Sequence, residues 1–431
     1  VGDLLTSSQL FGTSPTSSGA PNTSGGLRGS HSAPSLSDLG FFGASVLSGG
    51  DAPPATVAGV VADHADLRAD LRAWLAGNAP ANWREECSSL HSHEAFFHSQ
   101  RAWFLKLVEA GYGIPHWPQG WPGGGRSLAE QKVIYEELAA ADCPRLLLSF
   151  VSTYHAASTL FECGSDEQKA RYLPAILQGE TWCQGFSEPG AGSDLAALKC
   201  KAERKGDVYV INGQKVWSTM AQYADMCLLL VRTSTEKAKQ AGITFLLMDM
   251  KTPGVSIRPI NQIQGDQEFC EIFLDNVEVP VSQRVGDEGA GWAVAQATLS
   301  SERGLTLMEL SYRMRGALAR ISDLIRANGR EDDRGVLRDF GQLVTQVDAA
   351  CAIADRFLDN RMKGIERLGD ASVVKNAYSR ALRAYSLLGL RLGGMAEQYE
   401  APIVYGDLNT GNWMADFMNS YAWTIAGGRE E

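Results

Sequence analysis

The hydrophobic period of this chain changes twice, and that pattern restricts its fold more than any other property. From Ala62 to about Gln178 apolar residues recur at helical spacing; Leu67, Leu71, Trp74 and Leu75 fall at i, i+4, i+7 and i+8, one face of an amphipathic helix. Phe104, Leu105 and Val108 continue it, as do Val133, Tyr135 and Leu138. From residue 182 to about 283 the chain instead carries short apolar runs at 208–211, 226–231, 243–248 and 272–274, bounded by turn residues. These read as strands of a small barrel or sandwich. After Gly291 the helical period returns, first through Arg326, then from Leu337 to Arg367 and from Ala371 to Met395. The predicted class is α+β: an N-terminal helical domain (59–180), a central β-barrel-like domain (181–285) and a C-terminal four-helix-bundle-type domain (286–431).

Residues 1–58 stand outside this scheme. The first fifty hold 12 Ser and 10 Gly and lack sustained periodicity, so this arm is expected to be disordered. Its single Arg, Arg28, does not fit a mitochondrial transit peptide, and its first residue is Val, as in a processed or truncated start. With 431 residues, 44% of them apolar, the chain can bury two or three cores. No run of 18 apolar residues occurs, so no membrane-spanning helix is expected. A net charge of −11 argues against nucleic-acid binding, which needs a positive field. Eight Cys without any Cys-X-X-Cys spacing read as free thiols in a reducing cytosol, and cytoplasm is the expected location. Glu94 and His98 stand one helical turn apart near His91 and His93, a spacing that reads as a solvated helix face rather than a metal site. Residues 115–125, with Trp117 and Trp121 among Pro and Gly, must form a loop, its Trp residues serving packing.

Two segments carry the chemical signal. Residues 182–194 read Trp-Cys-Gln-Gly-Phe-Ser-Glu-Pro-Gly-Ala-Gly-Ser-Asp, a turn-rich corner where a helical region gives way to strands. Gly190, Ala191 and Gly192 allow the backbone close to a ligand, and the neighbouring Ser and Asp offer hydrogen bonds. Residues 212–219 read Asn-Gly-Gln-Lys-Val-Trp-Ser-Thr, and the Asn212–Gly213 pair predicts a two-residue hairpin. Taken singly, each segment is equally an ordinary turn.

In this order the two segments resemble the acyl-CoA dehydrogenase family. The resemblance runs from about Asp63 to the last residue and includes Asp166-Glu167-Gln168-Lys169, Arg171-Tyr172-Leu173-Pro174, the run 242–249, Phe273 to Pro280 and Gly286-Asp287-Glu288-Gly289. It implies bound FAD at the junction of the β-domain and the bundles. Gln184, Gly185, Phe186, Ser187, Gly192 and Ser193 would lie along the flavin, with Ser187 near the N1/O2 edge and Ser193 also facing substrate. Trp217, Ser218 and Thr219 would lie against the ring system, Thr219 near N5.

The reaction so implied removes the α-proton of an acyl-CoA as H⁺ and the β-hydrogen as hydride. It needs a carboxylate base and donors on the thioester carbonyl. Most family members keep a Glu before a Gly near the C-terminus, where this chain reads Ile425-Ala426-Gly427-Gly428. Alanine takes no proton. A minority place the base one residue before an Arg on the first long C-terminal helix, and Leu299-Ser300-Ser301-Glu302-Arg303 matches that pattern. Glu302 is thus the implied base, against the plain alternative of a solvated carboxylate; an apolar acyl pocket would raise its pKa toward neutrality. Arg303 would approach the CoA nucleotide or form a structural ion pair, and the backbone N–H of Ala426 would join the oxyanion pair.

The chain also departs from the pattern. The region of the family's Arg-X-X-Phe-Gly segment reads Arg330-Glu331-Asp332-Asp333-Arg334-Gly335, a Gln-X-X-Gly-Gly counterpart is lacking around 388–394, and the expected final helix is missing at Glu431. Three readings stay open. The first is an active dehydrogenase passing electrons to an electron-transfer flavoprotein, as a homo- or hetero-oligomer. The second is a non-catalytic or half-site subunit of a heteromeric dehydrogenase, and the third a flavin monooxygenase or oxidase on the same scaffold.

Overall fold

The computed structural model describes residues 64–80, 83, 93–236, 239–263, 267–302, 305–365, 367, 369–394 and 413–425. The N-terminal helices are α1 (Ala65–Asn78), α2 (His93–Glu109), α3 (Leu128–Ala140), α4 (Leu147–Phe150), α5 (Ala157–Cys163) and α6 (Asp166–Leu177). A π-helical turn, Val151–Ala156, joins α4 to α5. Local chemistry sets the helix starts: Ser127 with Glu130 opens α3, and Ser165 with Gln168 opens α6, each as a reciprocal capping box.

Eight strands follow: β1 (Trp182–Gly185), β2 (Lys201–Lys205), β3 (Val208–Thr219), β4 (Met226–Arg232), β5 (Ile243–Asp249), β6 (Val255–Pro259), β7 (Phe269–Pro280) and β8 (Arg284–Val285). They form one sheet in the order β6-β7-β3-β2-β4-β5-β8, with β1 parallel to β4. The uninterrupted apolar runs of β4 and β5 have a direct cause. Alternate residues of a strand face opposite ways, and here both sides are core. Leu228, Leu230, Phe245 and Leu247 pack with Phe104, Ile114, Trp117 and Leu160 of the N-terminal region. Cys227, Leu229, Leu246 and Met248 pack inside the folded-over sheet with Tyr209, Ile211, Ile272 and Val277. Trp117 is buried, its indole N–H donating to the Thr153 carbonyl at 3.0 Å, as expected for a packing residue.

The Asn212–Gly213 pair is not a hairpin turn. The turn lies at Gly206–Asp207, between the paired residues Lys205 and Val208, and β3 runs on through residues 212 and 213 against β7 with a bulge. Pairing along the whole of β7 overrides the local turn preference. The Asn212 Oδ1 is committed there, accepting from the Asn276 N–H at 2.9 Å, and a Cβ at Gly213 would meet Cys200 at 2.8 Å.

The C-terminal helices are α7 (Gly291–Glu302), α8 (Leu305–Ala327), α9 (Arg334–Met362), α10 (Asp370–Gly393) and α11 (Trp413–Ala422). The stretch whose role was unassignable from sequence is a helix start: Asp333 caps α9, accepting from the Gly335 and Val336 N–H groups at 2.8 and 3.1 Å. Helix α11, unmarked by the long-range period, docks through Trp413, which is buried in the core shared by α8, α9 and α10. It is seated on Gly389, where a Cβ would lie 1.9 Å from the Trp413 ring. Alanine normally favours a helix interior over glycine by about 1 kcal/mol. Here Gly389→Ala should instead destabilise, by about 1–3 kcal/mol through overpacking. Urea unfolding checks the sign, and a stabilised variant would refute this seating of α11.

Candidate active site

The two sequence segments meet in space. Strand β1 runs into the loop at 186–193, where Glu188 and Ala191 exchange backbone hydrogen bonds of 3.1 and 3.0 Å and tighten it into a turn. Across from it, β3 breaks register between Lys215 and Ser218. The bulge turns the Val216 N–H onto the Ser187 carbonyl at 2.9 Å, so main chain ties one segment to the other.

A buried ion pair makes the second tie. Lys215 Nζ, with its side chain 0% exposed, lies 2.8 Å from Glu188 Oε1 and donates to the Phe186 carbonyl at 3.2 Å. The Glu188 carboxylate also accepts from the Lys199 and Cys200 N–H groups at 2.6 and 2.8 Å. Both charged groups are satisfied by fixed partners, the condition under which such a pair can be buried. Both residues stood in the quoted segments, and sequence reasoning gave neither a role. A Lys in a strand reads as solvent-facing; the signal that could have found it is its inward register two residues before the Trp217 bulge.

The bulge distorts the chain where the segments face. Trp217 has φ +62° and Met220 φ +50°, conformations that L side chains rarely adopt. Trp217 is thrown outward, 57% exposed, its ring edge-on to Phe269 at 6.0 Å. Ser218 is turned inward and Thr219 is half-buried beside a crevice lined by Phe97, Thr181, Trp182 and Tyr223. Gln184 Nε2 and Ser218 Oγ are buried polar atoms without hydrogen-bond partners. Such atoms cost about 1–3 kcal/mol each unless something else meets them. Phe186 is buried edge-on to Phe245, whereas Gly192 and Ser193 are exposed. No atom lies within 4 Å of a Cβ built at Gly190 or Gly192, so the loop leaves open space on its outer side.

The wall beside β1 is the π-helical turn. The Trp182 N–H donates to Ser152 Oγ at 3.0 Å, fixing the start of β1 on it. Wide turns free backbone carbonyls, and the Thr153 carbonyl takes both Trp117 Nε1 and His116 Nε2 at 3.0 Å. Burial pushes the His116 imidazole down to about 4 despite that bond. The ring is therefore neutral and stacks on Tyr154 at 4.0 Å. Nearby, burial holds the Glu180 carboxyl above its ordinary range, opposed by Arg171 at 3.4 Å.

Helix α7 packs against α5 and this turn, and Glu302 is its last residue. Arg303 and Ala426 lie outside the described residues. Glu94 and His98 are an exposed pair, 3.9 Å apart.

This arrangement has known counterparts. The acyl-CoA dehydrogenase N-terminal domain matches residues 62–180 and the acyl-CoA dehydrogenase middle domain residues 183–277. Acyl-CoA dehydrogenase IpdE1 of Mycolicibacterium smegmatis is 34% identical over 380 residues, covering 85% of this chain and 94% of that protein. The chain belongs to the acyl-CoA dehydrogenase family. Members of that family are oxidoreductases and flavoproteins. Acyl-CoA dehydrogenase FadE34 of Mycobacterium tuberculosis is 39% identical over 333 residues, 76% of this chain and 44% of its own length. Among solved structures, the Tcur3481-Tcur3483 steroid acyl-CoA dehydrogenase aligns with a TM-score of 0.75 at 29% identity, over 86% of this chain and 95% of that one. The ChsE4-ChsE5 complex from Mycobacterium tuberculosis aligns with a TM-score of 0.70 at 26% identity, over 87% and 96%.

If the ion pair holds the two segments together, removing one partner exposes its cost. Lys215→Met should lose about 3–5 kcal/mol by stranding the Glu188 charge. Lys215→Met with Glu188→Gln should lose clearly less. Equal losses in urea unfolding would show that the pair is not the tie.

Proposed function

We propose that this protein is an FAD-dependent dehydrogenase that converts an acyl-CoA thioester to its trans-2-enoyl-CoA, with Glu302 removing the α-proton. The observation that carries the reading is the pair of unbonded buried atoms, Gln184 Nε2 and Ser218 Oγ, at the meeting point of the two segments. A donor amide and a hydroxyl left unmet suit a heteroaromatic ligand rich in ring nitrogens and carbonyls. The glycine turn beside them leaves space for a phosphate-bearing tail. Gln184 to Ser193 and Trp217 to Thr219 would hold the cofactor, which supplies the hydride acceptor when bound.

The chain's own residues supply the rest. Helix α7 packs on the π-helical turn, where Val151, Ala156 and Leu299 are apolar, and in this reading Glu302 at its end would act beside such residues. In such surroundings a carboxylate is a stronger base. The Ala426 N–H would polarise the thioester carbonyl, and Arg303 would meet the CoA moiety. The substrate class is a steroid or other lipid acyl-CoA, supported by the likeness to a steroid acyl-CoA dehydrogenase. The electron acceptor in this reading is an electron-transfer flavoprotein.

Two of the similar structures are named as two-protein assemblies, which favours a second reading, a heteromer in which this chain supplies part of a site. The exposed apolar side chains Leu387 and Tyr421 on the C-terminal helices, with Ile425 just beyond α11, support assembly of either kind.

Anaerobic flavin reduction separates the readings. With octanoyl-CoA or cholanoyl-CoA, the wild type should bleach its flavin band, and Glu302→Gln should slow this by about 10²-fold or more. A wild type that binds FAD but is bleached by neither thioester would favour the half-site subunit.

A further inference from the structure

We infer that Arg145 is a specificity-determining residue that recognises a carboxylate carried on the acyl part of the thioester; this names a substrate class for the proposed dehydrogenase and rests on that reading. Arg145 lies in the segment joining α3 to α4 and is 8% exposed. Its Nε is buried without a hydrogen-bond partner, and no carboxylate pairs with its guanidinium among the described residues. A guanidinium cannot shed its charge to escape burial. Left unpaired in such a place it is strongly unfavourable, so an anion is needed to complete the site.

The neighbouring cations show what is missing. Helix α8 packs along α3 and carries two arginines to the same segment. Arg313 donates to the Cys143 carbonyl and pairs with Glu309 at 2.8 Å. Arg320 lies 3.7 Å from Asp142. Each of these has a carboxylate, whereas Arg145 adds a third guanidinium beside them with no such partner among the described residues. The planar fork of a guanidinium matches a carboxylate through two parallel hydrogen bonds. A neutral carbonyl oxygen would meet one donor and leave the charge uncompensated.

The segment stands at one end of the wall that the proposed acyl site uses. After Arg145 and Leu146 the chain enters α4, the π-helical turn and α5 without a break. Helix α7 packs on the turn and on α5. Ser152, on the turn, accepts from the Trp182 N–H at 3.0 Å and so touches the strand that leads into the glycine turn. Arg145 lies seven residues earlier, on the order of 10 Å along a helix axis, where α8 reaches the chain at Cys143. Between the two lie the apolar residues Leu146, Phe150 and Val151. A thioester reacting beside the cradle, with its acyl group running back along α4, would bring its far end to Arg145. An apolar path closed by one unpaired cation suits an acyl group that ends in a carboxylate rather than a methyl.

The test uses the full-length FAD-loaded protein and two matched series of thioesters. One is hexanoyl-, octanoyl- and decanoyl-CoA; the other is the mono-CoA esters of the dicarboxylic acids of equal length. Dissociation constants are read from the perturbed flavin spectrum, rates from anaerobic flavin reduction, and folding from FAD content. At least one dicarboxylic ester should bind about tenfold or more tightly than its methyl-ended counterpart. Arg145→Met should weaken binding of that ester by about 10²-fold and tighten binding of the counterpart, reversing the preference. Arg145→Lys, which keeps the charge without the fork, should retain part of the preference, and it decides the matter if the Met variant does not hold FAD. Equal binding of both series by the wild type, or an undiminished preference in Arg145→Met, overturns the inference and leaves the dehydrogenase reading intact. A wild type without preference whose Arg145→Met variant dissociates in size-exclusion chromatography overturns it in favour of a carboxylate from another subunit. If no thioester of either series bleaches the flavin of the wild type, the dehydrogenase reading fails, and this inference fails with it.

Discussion

The buried pair of Lys215 and Glu188 is the interaction on which the site depends. Two loops that approach a ligand from different strands need a tie that is short, rigid and out of water. An ion pair in solvent contributes about 1 kcal/mol at most and does not fix geometry. This one is buried, and each partner is held by main chain as well: Phe186 O for the ammonium, Lys199 and Cys200 N–H for the carboxylate. The pair thus ties three backbone segments together. It allows β3 to bulge immediately afterward, where the Val216 N–H reaches the Ser187 carbonyl and Trp217 adopts its strained conformation. Strain at Trp217 and unmet groups at Gln184 and Ser218 are tolerable because the frame around them is over-determined.

A second irregularity faces the first. The π-helical turn carries Ser152, which fixes the start of β1, and the turn also packs against α7. Strand β1 leads directly into the glycine turn, while α7 ends at Glu302. One short stretch of wide helix therefore touches both the proposed cofactor cradle and the helix carrying the proposed base. Of its carbonyls, that of Thr153 is met by Trp117 and His116 from the loop at 115–125 and that of His155 by the Thr159 hydroxyl. Trp117 braces the turn directly, and Trp121 packs edge-on against Trp117.

Much of this was legible in the sequence. The change of period from helix to strand and back reflects burial on one helix face or two strand faces, which is written residue by residue. The glycine turn and the Trp217 segment were legible as a pair because their residue types are rare together. Less accessible were features set by distant pairing. Asn212–Gly213 has the composition of a hairpin, yet β7 draws it into a strand. Lys215 has the composition of a surface residue, yet a carboxylate 27 positions earlier holds it inside. Helix α11 is only 10 residues long and depends on the space left at Gly389.

The same distinction bears on the chemistry. In the proposed reading alanine stands at position 426 where the family pattern would keep a base, and that difference is visible as a single letter. What would compensate for it is not a single letter. A carboxylate at the end of α7 is useful only if its partner, its depth and its direction are set by the helix opposite. The Thr159–Thr298 contact joins α5 and α7, and α7 packs on the π-helical turn as well. Moving a base from one element to another thus demands a matching change in the wall it faces. In this protein that wall is a buried π-helical turn rather than an ordinary helical one.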